Sequence, residues 1–276
     1  MKKSTIVLIV LIFVMIGIII YLVTKKEDED KKYNFDMYFF NAGKADAILL
    51  SYKNKYIMID TAEESFSNEI LNYFKKNNIT KLDYLIITHF DKDHVGGTAA
   101  IIDSIKIDNI LESNYPKDSE YYKNYLEALN NKGLIASTIT TDYEFNYDDL
   151  KFKVNGPNKI YDNNESNNSS LIGSIDYKDN SFLFMGDAEN DRLEDFISTN
   201  KKEYEFIKMP HHGKYQKNVK KLIENVKPNI AVITSSDEEP EEEKTIKLLE
   251  KNNIDYYLTR EGEITIHSDG ESIYVE

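Results

Sequence analysis

The sequence predicts an α/β (α+β) domain of two sheets with helices outside them, preceded by one N-terminal transmembrane helix. Short apolar and aromatic strand-like runs alternate with amphipathic stretches along most of the chain, and the N-terminus carries an unbroken apolar segment. Three of the strand-like runs also end directly in Asp or His, which gives the domain one chemically loaded edge.

From Ile6 to Val23 the only polar group is the Tyr21 hydroxyl. At about 1.5 Å per residue, a helix of that length spans a hydrocarbon core of about 30 Å. The segment ends Ile18-Ile19-Ile20-Tyr21-Leu22-Val23 and not in the small residues of a cleavage site, so residues 1–24 read as an uncleaved anchor. Lys2 and Lys3 lie before it, and Lys25, Lys26, Lys31 and Lys32 after it are interleaved with Glu27 to Asp30, so charge alone leaves orientation open. A short N-terminal tail before such a helix commonly stays in the cytoplasm. The expectation is therefore a single-pass protein of the cell membrane with the domain that follows the anchor extracytoplasmic.

Residues 25–32 form a charged linker, and residues 33–276 form the remaining domain. A content of 41% hydrophobic residues suffices for a buried core, and with only 5 Pro against 20 Tyr and 13 Phe the chain suits many strands. The absence of Cys excludes a disulfide framework, a lipidated cysteine and thiolate metal ligands. The chain's net charge is −14, and removing Lys2 and Lys3 leaves −16, a field that repels nucleic acid and anionic membrane surface. Any nucleic-acid substrate must then be met by a local basic patch or by metal.

The first strand is expected over 33–40, followed by strands at Ala47 to Ser51 and Tyr56 to Asp60. A helix over Ser65 to Asn77 leads to a strand at Tyr84 to Thr88. Helices follow near Gly96 and over Tyr121 to Asn131. Strands return at Leu134 to Thr140, Lys151 to Val154, Leu171 to Tyr177 and Ser181 to Met185, with a long Asn-, Gly- and Ser-rich loop over 155–170. The last part alternates: strand 206–209, helix 218–226, strand 230–234, helix 241–252, then strands 256–258 and 263–267.

The chemistry gathers at three strand ends. Leu85-Ile86-Ile87-Thr88 runs into His89-Phe90-Asp91-Lys92-Asp93-His94, and Val95-Gly96-Gly97 then turns the chain into a helix. Four ligand-type side chains thus fall within six residues, a spacing that can direct His89 and Asp91 to one metal and Asp93 and His94 to a neighbour. Phe182-Leu183-Phe184-Met185-Gly186-Asp187 delivers a carboxylate in the same way. Asp187 can bridge two cations about 3.5–4 Å apart, cap the following helix, or do both. Phe206 to Met209 leads to Pro210-His211-His212-Gly213, where sequence does not separate His211 from His212. Four of the five His lie in these loops; the fifth, His267, reads as an ordinary strand position.

On these motifs the chain from about Phe35 onward resembles the metallo-β-lactamase superfamily, and within it the ComEC-like branch of DNA-uptake competence proteins. Phe40-Asn41-Ala42-Gly43-Lys44-Ala45-Asp46-Ala47 is similar to that branch's opening strand and turn. Met58-Ile59-Asp60 resembles the superfamily's first motif, whose Asp supports the metal loop, and Asn167 to Leu171 resembles the segment before the central strand. The resemblance implies an αββα sandwich holding two divalent metal ions, zinc or manganese, at one sheet edge. The ligands would come from His89, Asp91, Asp93, His94, Asp187, His211 and His212, and Asp93 and Asp187 would take part in catalysis. The turn resembling a Gly-His-Gly motif favours His212 over His211.

The chain departs from the pattern in several places. The commoner superfamily loop has His where Asp91 stands, although the ComEC-like branch also has Asp. No His lies between His94 and His211, so a third His motif is missing and the first metal site is under-supplied. Glu239-Pro240 stands where that branch reads His-Pro, and Glu239 is an alternative ligand set in an acidic run. More carboxylate and less imidazole favours manganese.

The expected activity is cleavage of a phosphodiester, as nuclease or phosphodiesterase, by metal-activated hydroxide, with Lys214 or a loop Asn steadying charge on the substrate. The alternatives are a lactone, amide or cell-wall phosphoester hydrolase, or a non-catalytic binding module with a degenerate metal site. A small-molecule or nucleic-acid phosphoester is the expected substrate. One anchor cannot form a channel, so transport would need a separate membrane channel partner.

Overall fold

The computed structural model describes residues 12–19, 21, 34–162 and 165–276. The chain divides into two units, Met1–Asn34 and Phe35–Glu276. In the first, residues 12–19 and 21 are helical with exposed side chains. The rest of the predicted span and the linker at 25–32 lie outside the described residues, and among the described residues no helix is long and apolar enough to cross a membrane.

The second unit runs β1 (Phe35–Phe39), β2 (Ala47–Tyr52), β3 (Lys55–Thr61), α1 (Ser67–Lys76), β4 (Lys81–Leu82), β5 (Tyr84–Ile87), α2 (Lys92–Val95), α3 (Thr98–Ser104), β6 (Lys106–Ile107), β7 (Ile110–Glu112), α4 (Glu120–Lys132) and β8 (Ala136–Thr138). It continues β9 (Asp142–Tyr147), β10 (Leu150–Asn155), α5 (Glu165–Asn168), β11 (Ile172–Tyr177), β12 (Asn180–Phe184), α6 (Asn190–Thr199), β13 (Phe206–Lys208), α7 (Val219–Val226), β14 (Ile230–Ile233), α8 (Glu243–Lys251), β15 (Asp255–Leu258), β16 (Ile264–Ser268) and β17 (Ile273–Val275). One sheet has the order β17-β16-β1-β2-β3-β5-β7-β8, the other β15-β14-β13-β12-β11-β10-β9.

Three buried layers make this an αββα sandwich. Between the sheets, Phe35, Phe39, Phe152, Phe182, Phe184 and Phe206 share one core. Each ring contributes roughly 1.5–3 kcal/mol by leaving water. Ile70, Phe74, Ile101 and Tyr125 of α1, α3 and α4 cover the outer face of the first sheet against Met58, Leu85 and Ile87. Leu193, Leu222 and Leu249 of α6, α7 and α8 cover the second against Leu183, Ile207 and Ala231. Strands buried on both faces have no polar side to alternate, which is why Leu85 to Ile87 and Phe182 to Phe184 are continuously apolar.

β3, β5 and β7 are mutually parallel, as are β12, β13 and β14. Parallel strands put their C-terminal ends at one edge, where open sheets of this kind carry their sites. Several elements differ from the sequence reading. The helix expected near Gly96 is two short helices, α2 and α3, because Gly96 and Gly97 pack against the strand edge. A Cβ on Gly96 would lie 2.4 Å from the Lys92 carbonyl and 2.7 Å from Glu64 N. The loop at 155–170 contains α5, and β9, β7 and β17 had no counterpart in the expectation.

Candidate metal centre

The three predicted strand ends meet at this edge. Asp93 and His94 lie in the short helix α2, Asp187 follows β12, and His212 sits in a tight turn after β13. Ligand-type atoms of Asp93, His94, Asp187 and His212 all lie within 4.8 Å of one another. His94 Nε2 is 3.3 Å from Asp187 Oδ1 and 3.9 Å from Asp93 Oδ2. His212 Nε2 is 3.4 Å from both Asp93 Oδ2 and Asp187 Oδ2.

Local backbone aims these groups. Gly186 takes φ +51 against Thr88 and Ser170, whose Cβ atoms would lie 3.1 and 3.2 Å from an added Cβ. His211 and His212 themselves adopt φ of +46 and +53, and Asp60 adopts +55. Left-handed backbone at non-glycine residues costs roughly 1–3 kcal/mol each and persists only where surroundings enforce it. Here it points adjacent imidazoles in different directions. His212 is buried, with Nδ1 2.9 Å from Thr234 Oγ1 and 3.1 Å from the Thr234 carbonyl. His211 sits at the rim, its Nδ1 2.9 Å from Glu189 and its Nε2 3.6 Å from Asp187 Oδ2.

A second set of buried groups orients the first. Asp60 accepts from Thr88 N at 2.7 Å, Thr88 Oγ1 at 2.6 Å and His94 Nδ1 at 2.7 Å. With its Nδ1 proton held there, His94 turns Nε2 toward Asp187, the orientation that commonly fixes a metal-binding imidazole. Asp46 accepts from Thr234 Oγ1 at 2.6 Å and from the buried Lys208 ammonium.

The electrostatics of the cluster are mutually dependent. Burial raises the Asp187 carboxyl, but the imidazoles of His212 and His94 outweigh it and hold the group well below the usual carboxylate range. Burial opposes charge on His212 as well, yet Asp187 dominates and pushes it up to about 9. Asp187 and Asp60 likewise raise His94 well above its ordinary value against burial. His89 goes the other way: burial first, then the charge of His94, lowers it to about 4.

These residues fit a divalent cation. The Nε2 atoms of His89, His94 and His212 and Asp187 Oδ1 are buried without a hydrogen-bond partner. Buried polar atoms left without partners in one corner are costly unless something positive, the protons on His94 and His212 or a cation in their place, sits among them.

His89 adjoins the cluster, its ring centroid 4.1 Å from that of His94. His89 Nε2 faces Asp91 Oδ1 at 4.0 Å, but that oxygen accepts from Lys117 Nζ at 2.5 Å and from Ser166 Oγ. Glu239 is exposed, pairs with Lys44 at 3.3 Å and is not among the clustered ligand atoms. Lys214 pairs with Glu189 at 2.9 Å. His267 lies in β16, its Nδ1 2.6 Å from Asp36. The sequence reading gave no role to Asp46, Lys117, Ser166, Glu189, Lys208 or Thr234. A lone lysine inside the apolar run 206–210 was the available signal for Lys208.

An αββα sandwich with a His and Asp cluster at its strand-end edge is the architecture of a metal-binding superfamily that includes many hydrolases. The chain belongs to the Metallo-beta-lactamase superfamily, whose family model matches residues 41–235. It is 26% identical over 200 residues to Recombination protein 2 of Haemophilus influenzae, across 71% of this chain and 23% of that protein. It is 23% identical over 193 residues to ComE operon protein 3 of Bacillus subtilis, across 67% of this chain and 24% of that protein. The chain therefore spans about a quarter of either relative, and both agree with the ComEC-like resemblance. Among solved structures, the metallo-beta-lactamase fold protein YhfI from Bacillus subtilis superposes with a TM-score of 0.55 at 8% identity, covering 88% of this chain and 100% of that one.

Proposed function

We propose that this protein is a membrane-anchored phosphodiesterase or nuclease whose catalytic domain works outside the cytoplasm. The observation that carries it is the convergence of unpartnered His94, His212 and Asp187 atoms beside Asp93 at the strand-end edge. The likeness to two competence proteins over most of the domain supports a phosphoester substrate. The apolar stretch Ile6–Val23 supports the anchor, and labelling of residues on either side of a sealed membrane tests its orientation.

Asp93, His94, Asp187 and His212 would hold the metal, and the expectation inherited from the superfamily is two ions. A carboxylate-rich set favours manganese, with zinc the alternative. When bound, a divalent ion supplies a water nucleophile active at neutral pH and neutralises charge on the substrate. The protein's own groups do the rest. Asp187 lies between two imidazoles and stays ionised; Asp93, more exposed than Asp187, is placed to accept a proton and orient water. Asp60 and Thr234 hold His94 and His212 with Nε2 inward. If nucleic acid crosses the membrane in this process, a separate channel partner carries it.

The test is hydrolysis of a phosphodiester, a phosphomonoester, a lactone and a β-lactam by the full chain with manganese or zinc, alongside Asp187→Ala. Metal-dependent turnover of the phosphodiester, lost in the variant, supports the reading. Turnover of the lactone or β-lactam instead would replace the substrate class. No turnover with less than one ion bound per chain would make the protein a non-catalytic binding module.

A further inference from the structure

The half of the site expected to hold a second ion is already neutralised. Asp91 Oδ1, which faces His89 Nε2 at 4.0 Å, accepts from the Lys117 ammonium at 2.5 Å and from Ser166 Oγ. Both contacts fall on the same Asp91 oxygen that faces His89. The three segments come from different parts of the fold: Asp91 precedes α2, Lys117 lies in the loop between β7 and α4, and Ser166 lies in α5. Together with Tyr115, Asp118, Glu165 and Asn167 they line an open groove of about 340 Å³ beside the metal cluster. Lys117 is 36% exposed, so its ammonium reaches Asp91 on one side and the groove on the other.

From this placement we infer that Lys117 is a resident cation that takes the second divalent ion's place, leaving the protein with a single ion at Asp93, His94, Asp187 and His212. The inference rests on the metallo-hydrolase reading and sharpens it. A divalent ion at His89 and Asp91 would have to displace the ammonium against its charge-assisted bond to Asp91. The neighbouring imidazole, His94, is held by Asp60 at Nδ1 and faces Asp187 at Nε2, so a second ion would have to rely on His89 and the carboxylates. The ammonium instead keeps Asp91 neutralised and offers its remaining N–H groups to an anionic oxygen of a substrate in the groove. Among the described residues Lys117 is then the one cation lining a groove that also carries Asp91, Asp118 and Glu165, and the specificity-determining contact for an anionic oxygen placed at that point.

The experiment is stepwise titration of the metal-free full chain with manganese, read by calorimetry and by metal content after dialysis. The wild type is expected to take up about one ion per chain and Lys117→Met about two, because removing the ammonium frees Asp91 and His89 for a cation. Lys117→Arg, which keeps the positive charge, stays at about one, and Lys117→Met/His89→Ala returns to about one. Circular dichroism melts confirm that each variant is folded. Two ions in the wild type, or one in a folded Lys117→Met, overturns the inference while leaving the hydrolase reading intact. No ion in the wild type overturns both.

Discussion

Replacing Asp60 by Asn changes one atom in a fully buried group and tests how the second layer controls the metal. Asp60 accepts three hydrogen bonds, from Thr88 N, Thr88 Oγ1 and His94 Nδ1, all between 2.6 and 2.7 Å. Thr88 N bonds one Asp60 oxygen, while Thr88 Oγ1 and His94 Nδ1 share the other. An Asn flipped to keep its oxygen on His94 sets its NH2 against Thr88 N–H; one that keeps its oxygen on Thr88 N turns its NH2 on the His94 Nδ1 proton, and two donors cannot share a bond. His94 either loses the partner or switches tautomer and points a protonated Nε2 at Asp187. Disrupting such outer partners costs about 10- to 100-fold in metal affinity, roughly 1.4–2.7 kcal/mol. Removing the negative charge also eases deprotonation of His94, which offsets part of that loss, so about tenfold is expected. Calorimetric titration of manganese or zinc into the metal-free wild type and Asp60→Asn at one pH measures it. Affinity within about twofold of wild type, in a variant with an unchanged melt, would refute the role assigned to Asp60.

Metal affinity should rise with pH, because the His212 proton, held to about 9 in the metal-free protein, must leave before a cation binds; the slope approaches about tenfold per unit per proton released and flattens above about pH 9. The metal-free fold should show the opposite trend, since a raised histidine stabilises fully below its unfolded value of about 6.5 and less as pH rises toward 9; melts across that window check the sign, and parallel slopes would contradict it. Gly96→Ala should cost about 3 kcal/mol and lower the melting temperature by roughly 6–12 °C, because the new Cβ would lie 2.4 Å from the Lys92 carbonyl. Arg192→Met should destabilise by about 3 kcal/mol and open residues 156–169 to proteolysis, since its buried guanidinium donates to the Ser170 carbonyl at 3.1 Å and to Asn155 O and Oδ1 at 2.7 and 2.8 Å. Unaltered protease resistance in that loop would count against the role.

Much of the site was legible because ligand residues cluster where apolar runs end: His89 to His94 after Leu85-Ile86-Ile87, Asp187 after Phe182 to Met185, and the histidines after Phe206 to Met209. The strands themselves were readable because burial on both faces leaves continuous apolar runs. What lay beyond the sequence was orientation. His211 and His212 are neighbours with the same side chain, and only left-handed backbone at both turns one inward and leaves the other at the rim. The partners of Asp46 and Asp91 lie at Lys208 and Lys117, and pairing across such separations leaves no local pattern. Strand β9 was missed because its aromatic residues, Tyr143, Phe145 and Tyr147, alternate with Asp142, Glu144 and Asn146, residues depleted in strands and tolerated on this exposed sheet edge.

The most direct test of the metal centre is the anomalous-scattering map of a crystal grown with manganese or zinc. The principal peak is expected among Asp93, His94, Asp187 and His212 Nε2, with His94 Nδ1 still on Asp60. A peak coordinated by His211 in place of His212, or lying outside this cluster, would contradict it.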